Sequence, residues 1–212
     1  RDGRTSAIAF AARRFLDRID LWDAVEDEAC PILDIRVSDG SSRLFLHYDH
    51  RDVGGDTLGW IVENAALRRA LHDHGSEVRL LAPADVVGLE TGGEVATVTL
   101  ADGRRQAARL VVAADGGRST LRRLAGIGTV GWRYRQTAIV CTVRHPEPHR
   151  NVAHERFLPA GPFALLPMRD DADGTPRSSV VWTERSDLVP RLMALDDAAF
   201  SRELTRRFGP TH

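Results

Sequence analysis

The stretch VVAADGGRSTLRR, residues 111–123, decides the predicted fold. Together with Leu110 it places a continuous apolar run before a glycine turn, as in a strand that is buried on both faces. Ser119 follows the turn and is a favoured N-cap residue, so a helix is predicted over 119–125. The stretch therefore predicts a buried strand over about 106–114, a tight turn and a short helix.

The same turn has the features of a phosphate-binding site. Amides at a helix start, the flexible Gly116 and Gly117 and the nearby Arg118 can together surround an anion. Asp115 would lie at the end of the strand, where its carboxylate can accept hydrogen bonds from a ribose or ribityl hydroxyl. Spacing alone leaves open an ordinary strand, turn and helix with solubilising arginines. A catalytic role for Ser119 is disfavoured, because the nucleophile-elbow pattern requires glycine at position 121 and leucine stands there.

Outward from this stretch, the chain alternates between helical and strand-like patterns. Helices are predicted over 6–25 with Ser6 as the cap, 64–74 with Gly75 as the C-cap, 187–194 and 196–208. Strands are predicted over 32–37, 44–48, 77–81, 84–90, 94–100, 132–143, 152–158, 162–167 and 178–184. Because these elements form no regular series of strand, helix and parallel strand, the predicted fold class is mixed α/β, of the α+β kind.

Composition narrows the classes of function. The 212 residues carry a net charge of −1, which gives no electrostatic reason to expect nucleic acid or an anionic membrane as a partner. Two cysteines form neither a disulfide framework nor a metal motif. Since no apolar run reaches the roughly 18 residues of a membrane-spanning helix, we expect a cytoplasmic protein.

Two further motifs are expected to carry no function. The pattern G-x-G-x-x-G at 126–131 follows a predicted helix and precedes a strand-like run, whereas a dinucleotide site requires the reverse order. His145, His149 and His154 lie close in sequence, but a metal site would require matching spacing as well as acidic or thiol companions, and the proline-broken loop at 145–149 favours surface or loop histidines. We therefore expect no bound metal.

The turn and several other segments together resemble one family, the flavin monooxygenases of the para-hydroxybenzoate hydroxylase type. Residues 115–123 are similar to its second cofactor motif, and 2–9 to the stretch in which an arginine approaches FAD. Residues 60–71 resemble a helix start that follows the letters VEN. Similarity to the substrate-domain strands of the ubiquinone-biosynthesis branch is found at 136–140, 153–167, 181–183 and 200–209. The resemblance covers essentially the whole chain in order.

This resemblance implies a two-domain architecture that the chain contains in part. Parts of an FAD-binding, Rossmann-like domain are expected at 1–75 and 106–130, with 76–105 as a β-meander insertion. Residues 131–212 would form a truncated β-sheet substrate domain. The family's opening strand with G-x-G-x-x-G and its later Gly-Asp motif are missing from the sequence. We therefore expect an internal fragment that binds flavin poorly and is inactive by itself.

The resemblance also implies a reaction and the residues that serve it. In such enzymes NAD(P)H reduces FAD, and an oxygen atom of O₂ is transferred to an electron-rich aromatic ring, here a prenylated phenol of ubiquinone biosynthesis. The implied cofactor-binding residues are Arg4, Asn64, Asp115, Gly116, Arg118 and Ser119. The implied residues of the substrate pocket are Phe157, Pro162, Phe163 and Leu165. No side chain is nominated as a general acid or base.

Other readings of the sequence stay open. One is a non-enzymatic domain for an apolar ligand or an interaction partner. Another is a flavin reductase or halogenase on the same scaffold. A peripheral contact with the inner membrane and membership of a biosynthetic complex are left open for the intact protein.

Overall fold

The computed structural model describes residues 3–40, 42, 44–75 and 78–209, in two compact units. The first unit comprises Arg1–Glu77 and Tyr134–His212, and the second comprises Val78–Arg133. The two units are defined by contacts within the chain, whereas the predicted cofactor and substrate domains are defined by the ligands that they would bind. The assignment of residues to those two domains therefore stays a prediction.

The first unit is built from two segments of the chain. The elements of its first segment are β1 (Thr5–Ala9), α1 (Phe10–Arg18), β2 (Cys30–Ile32), β3 (Asp34–Asp39), β4 (Phe45–Asp49), β5 (Gly59–Glu63) and α2 (Asn64–His74). The second unit contributes β6 (Val86–Glu90), β7 (Ala96–Leu100), β8 (Arg105–Ala108) and α3 (Thr120–Leu124). The first unit then resumes with β9 (Gln136–Arg144), β10 (Val152–Leu158), β11 (Gly161–Met168), β12 (Arg177–Arg185), α4 (Val189–Met193) and α5 (Asp197–Phe208). These helices and sheets confirm the predicted mixed α/β class.

Two sheets organise the first unit. A three-stranded antiparallel sheet has the order β1-β5-β2, and a six-stranded sheet has the order β4-β3-β10-β11-β12-β9. In the larger sheet β3 and β10 are parallel, and the other neighbouring strands are antiparallel.

The six-stranded sheet has two different faces. Phe200, Leu204 and Phe208 of α5 pack on one face against the buried Phe163 and Trp182, and this face is called the helix face. The opposite face is covered in part by the three-stranded sheet, through a cluster that contains Ile32, Ile61, Ala153 and Met168. Beyond that cluster, the same face carries large exposed side chains and is called the open face.

The second unit has its own small sheet. Strands β6, β7 and β8 form an antiparallel meander, and α3 packs against β6. Two of its turns, at 91–95 and 101–104, are those that the glycine signals predict.

The predicted helix over 6–25 is wrong in its first turn and in its length. Residues Thr5–Ala9 pair with β5 instead, with Ser6 opposite Val62 and Ile8 opposite Trp60. The side chain of Ser6 therefore caps no helix, and α1 ends at Arg18. Hydrogen bonds to a neighbouring strand outweigh the weak helical periodicity of this short apolar run.

The predicted buried strand over 106–114 is also wrong in its second half. Strand β8 ends at Ala108, and the apolar run that follows is in no strand, with Leu110 and Val112 about three-quarters exposed. A strand buried on both faces requires neighbouring strands and two covering layers, which the described residues of this unit do not provide. For the predicted strand over 77–81, residue 77 lies outside the described residues and 78–81 form no strand.

Most other predicted elements are confirmed within a few residues. The hairpin of β3 and β4, the helix ending at Gly75 and the turn around 170–175 are all present. The glycines at 126–131 lie in a connection outside any helix or strand, as their context predicts. Among the described residues, no helix is both long enough and apolar enough to cross a membrane.

Candidate functional site

The turn before α3 is held together by the side chain of Asp115. Its carboxylate accepts hydrogen bonds from the Ser119 hydroxyl, from the Thr120 amide at 2.7 Å and from the Leu121 amide at 3.1 Å. The hydroxyl oxygen of Ser119 in turn accepts a hydrogen bond of 3.0 Å from the Arg122 amide, which confirms its predicted role as the helix cap. These hydrogen bonds, that from Ser119 first, hold the pKa of Asp115 below its ordinary value.

This arrangement changes how the turn can bind an anion. The amides at the start of α3 already have an acidic partner, so a phosphate would have to displace Asp115 to use them. A ligand hydroxyl that donates to Asp115 would likewise bind carboxylate oxygens that already accept hydrogen bonds from the turn itself. What stays accessible is the backbone at Gly116 and Gly117, where a Cβ would meet nothing within 4 Å, and the exposed side chain of Arg118.

The turn borders a cleft within the second unit. The cleft has a volume of about 580 Å³ and is bordered by Gly116 and Ser119. Its lining is largely apolar and includes Leu89, Leu121 and Ile127. The predicted cofactor-binding residues Asp115, Gly116, Arg118 and Ser119 are thus neighbours around one turn beside an apolar cleft.

The other two predicted cofactor-binding residues are neighbours in the first unit. The backbone amide of Asn64 donates a 3.0 Å hydrogen bond to the backbone carbonyl of Arg4, at the end of the β1–β5 pairing. The hydroxyl of Ser6 donates a 2.6 Å hydrogen bond to Oδ1 of Asn64. The amide side chain is therefore fixed in orientation by the strand beside it.

The predicted pocket residues divide between the two faces of the six-stranded sheet. Phe163 is fully buried on the helix face, 6.2 Å from Trp182 between ring centroids, and Leu165 packs against the same cluster. Phe157 is half exposed on the open face, directly opposite Pro162 on the neighbouring strand. Strand alternation places Phe157 and Pro162 on the face that a ligand can reach, and the other two on the face that α5 covers.

The open face contains a row of side chains that no sequence pattern predicted. Each of the six strands contributes one residue that lies directly opposite the residue contributed by its neighbouring strand. This set of six residues is called the cross-strand row. Its members, in strand order, are Leu46, Val37, Glu155, Ala164, Val181 and Val140. Leu46 and Val140 at its two ends are 64% and 41% exposed, so the row is reachable from solvent at both edges. Strand registers, which short patterns do not specify, are needed to find it.

The histidines of the 145–154 region have protein partners. His145 Nε2 lies 2.9 Å from Ser178 Oγ, and His149 Nε2 lies 2.9 Å from the carbonyl of Met168. Burial lowers the pKa of His149, and also that of His154. These contacts indicate a structural role for His145 and His149, which lie between β9 and β10.

A different group, which no motif in the sequence predicted, has ligand atoms close enough for a metal. Ligand atoms of Asp34, His47 and Asp49 lie within 4.8 Å of one another. Arg51 already binds both carboxylate oxygens of Asp49 and holds its pKa far below the ordinary value. The guanidinium thus occupies the position and neutralises the charge that a cation would use.

Comparisons with known proteins identify relatives along nearly the whole chain. It is 53% identical over 211 residues to ubiquinone hydroxylase UbiL of Rhodospirillum rubrum, covering 98% of this chain and 48% of that protein. It is 31% identical over 219 residues to the mitochondrial ubiquinone biosynthesis monooxygenase COQ6 of Mus musculus, covering 97% of this chain and 44% of that protein. The chain thus spans about half the length of the curated relatives that it matches. No family model matches it.

Solved structures share the fold. A single-residue variant of HpxO from Klebsiella pneumoniae, solved as a complex with FAD, superposes with a TM-score of 0.71 at 19% identity. The match covers 97% of this chain and 53% of that one. The solved structure shows the fold, and over nearly its whole length the chain is similar to about half of each of these ubiquinone-biosynthesis hydroxylases.

Proposed function

We propose that the whole protein is an FAD-dependent monooxygenase that hydroxylates an aromatic, prenylated phenol of ubiquinone biosynthesis. The observation that carries this proposal is the 53% identity to a ubiquinone hydroxylase over 98% of the chain. The similarity runs through both the turn at 115–119 and the strands of the open face, so it includes both candidate binding regions.

The residues of the chain fit FAD in part. The backbone at Gly116 and Gly117 is open to a ligand, and Arg118 offers a planar guanidinium that suits a pyrophosphate. Arg4 and Asn64 offer a second set of polar groups in the first unit. When bound, FAD would supply the activation of O₂, which no side chain can perform, and NAD(P)H is the proposed reductant.

The contribution of the substrate-binding part is to hold an aromatic ring and exclude water. Phe157 and Pro162 present an apolar surface on the open face, which suits the ring and the first isoprene units of a prenylated phenol. A substrate with such a tail dissolves in membranes. We therefore propose a cytoplasmic enzyme that meets the inner membrane at its surface.

The cofactor proposal is tested on the full-length protein by titrating FAD and following flavin fluorescence. Arg118→Ala is expected to weaken FAD binding by about 1–3 kcal/mol, as for the loss of a charge-assisted hydrogen bond. Arg123→Ala is the matched control, because Arg123 is an exposed arginine on the nearby helix α3. Equal FAD affinity in wild type and in Arg118→Ala would refute the proposed role.

The activity is tested by supplying the full-length enzyme with FAD, NAD(P)H, O₂ and a short prenylated phenol. A hydroxylated phenol, identified by mass spectrometry, is the expected product. The exposed apolar side chains of the open face also suit a domain that binds an apolar ligand without chemistry. Binding of the phenol without FAD uptake or NAD(P)H oxidation would favour that second candidate, and NAD(P)H oxidation without a hydroxylated product would favour a reductase.

A further inference from the structure

Glu155 interrupts the cross-strand row at its centre. Val37 on the parallel strand β3 and Ala164 on the antiparallel strand β11 lie directly opposite it. The other members of the row are aliphatic as well, so a single carboxylate lies among five apolar side chains. Along its own strand, the nearest residues on the same face are Ala153 and Phe157, and these are apolar too.

The described residues provide this carboxylate with no partner. Glu155 is partly buried, and no hydrogen bond or ion pair to the described part of the chain engages its oxygens. The neighbouring charged and polar side chains on β10, His154 and Arg156, belong to the helix face, where Arg156 donates to the carbonyls of Phe208 and Gly40. The carboxylate of Glu155 therefore keeps acceptor oxygens that a ligand on the open face can engage.

The surroundings indicate which donor would fit. The apolar side chains on both sides of Glu155 suit an aromatic ring, and the half-exposed Phe157 extends that surface. A phenolic hydroxyl on such a ring is a hydrogen-bond donor attached to an apolar body. It would satisfy the carboxylate without bringing a second full charge onto the sheet.

We propose that Glu155 is the residue that selects a ring hydroxyl of the substrate, by accepting a hydrogen bond from it on the open face. This inference rests on the proposed function for the identity of the substrate class. It goes further by naming the side chain that distinguishes a free phenol from its ether. Bound in this way, the ring is fixed by one polar contact at its hydroxyl and by apolar contacts elsewhere.

The experiment compares two ligands and four proteins. Full-length enzyme loaded with FAD is titrated calorimetrically with a phenol bearing one isoprenyl group and with the O-methyl ether of the same phenol. Wild type is expected to bind the phenol at least about tenfold more tightly than the ether, as for a hydrogen bond to a charged acceptor. Glu155→Gln keeps an acceptor without the charge and is expected to retain only part of this preference.

Glu155→Leu completes the apolar row and is expected to bind both ligands equally. Glu147→Gln, which neutralises an exposed acid in a loop, is the control and should keep the wild-type preference. The inference is overturned if the Leu variant still prefers the phenol or if wild type shows no preference. A preference that depends on Glu155 in an enzyme that forms no hydroxylated product would overturn the proposed function and leave the role of Glu155 standing.

Discussion

Replacing Arg207 tests whether the C-terminal helix α5 is held to the six-stranded sheet by a buried ion pair. Arg207 NH1 lies 2.9 Å from an oxygen of Glu184, whose side chain is 2% exposed on the helix face. The guanidinium carbon also lies 5.4 Å from the ring centroid of Trp182. The other oxygen of Glu184 accepts a 3.0 Å hydrogen bond from the Arg185 amide.

The magnitude follows from these contacts. Removing one partner of a fully buried ion pair costs about 3–5 kcal/mol, because the other charge is left buried and unpaired. Arg207 is 28% exposed and Glu184 keeps one amide donor, so we expect a smaller loss from the ion pair, about 2–3 kcal/mol. The contact with the Trp182 ring adds about 0.5–1 kcal/mol. Arg207→Met, which keeps an apolar stem, should therefore lower the free energy of unfolding by about 3 kcal/mol.

The assay is urea unfolding followed by tryptophan emission, which reports on Trp182 among the four tryptophans. The same helix offers a matched control, because the preceding residue Arg206 pairs with Glu203 at 2.6 Å. Those two side chains are 69% and 32% exposed, so Arg206→Met should cost less than about 1 kcal/mol. Equal shifts of the urea midpoint in the two variants would refute the argument that burial of Glu184 makes the difference.

Two further predictions concern backbone geometry. Asp115→Ala should lower the protection of the Thr120 amide against hydrogen exchange, measured relative to the rate of an unfolded chain at the same pH, and acid should do the same in wild type. The pKa of Asp115 is lowered in the folded protein, so the stabilisation is complete above the ordinary carboxyl range and is lost as the pH falls below about 4; unchanged protection would contradict the capping role. Gly161→Ala should destabilise the protein by about 1–3 kcal/mol in a thermal melt, because its φ is +136° and a Cβ there would lie 2.5 Å from Thr183 Cγ2. The control Gly128→Ala, at an open position, should melt like wild type, and a similar melt for both variants would contradict the prediction.

Local signals in the sequence predicted the elements whose stability is local. The helix after the 115–119 turn was predictable, because its cap is a serine with its partner amide three residues later. The helix over 64–74 and the hairpin of β3 and β4 were predictable for similar reasons, from a C-cap glycine and a turn signal. Propensity and pairing agreed in each case.

Elements that depend on distant partners were predicted less well. Residues 5–9 have a helical pattern but form a strand, because β5, fifty or more residues away, provides the hydrogen bonds. Residues 110–114 have the composition of a buried strand, but the described residues provide no strand that pairs with them. The composition of a segment indicates the environment that suits it. Whether the segment has that environment depends on the strands and helices that pack against it.

The substrate residues show the same limit on a finer scale. The segment Gly161–Met168 is apolar at nearly every position, so its sequence does not reveal which face of the sheet is covered. Phe163 is buried by α5, and α5 lies some forty residues further along the chain. Phe157 and Pro162 stay accessible because they lie on the other face. A pocket prediction therefore needed the packing of α5 as well as the alternation of the strands.

The turn at 115–119 shows why one motif can support two interpretations. Helix-start amides attract an anion, and in the sequence they suggested a site for a phosphate. The carboxylate of Asp115 is itself an anion on the same chain, close enough to bind the Thr120 and Leu121 amides. An intramolecular partner competes with any ligand for the same donors, because its local concentration is fixed by the turn. Recognition of a pyrophosphate here would then depend on the backbone of the glycines and on Arg118, and Arg118→Ala measures that dependence directly.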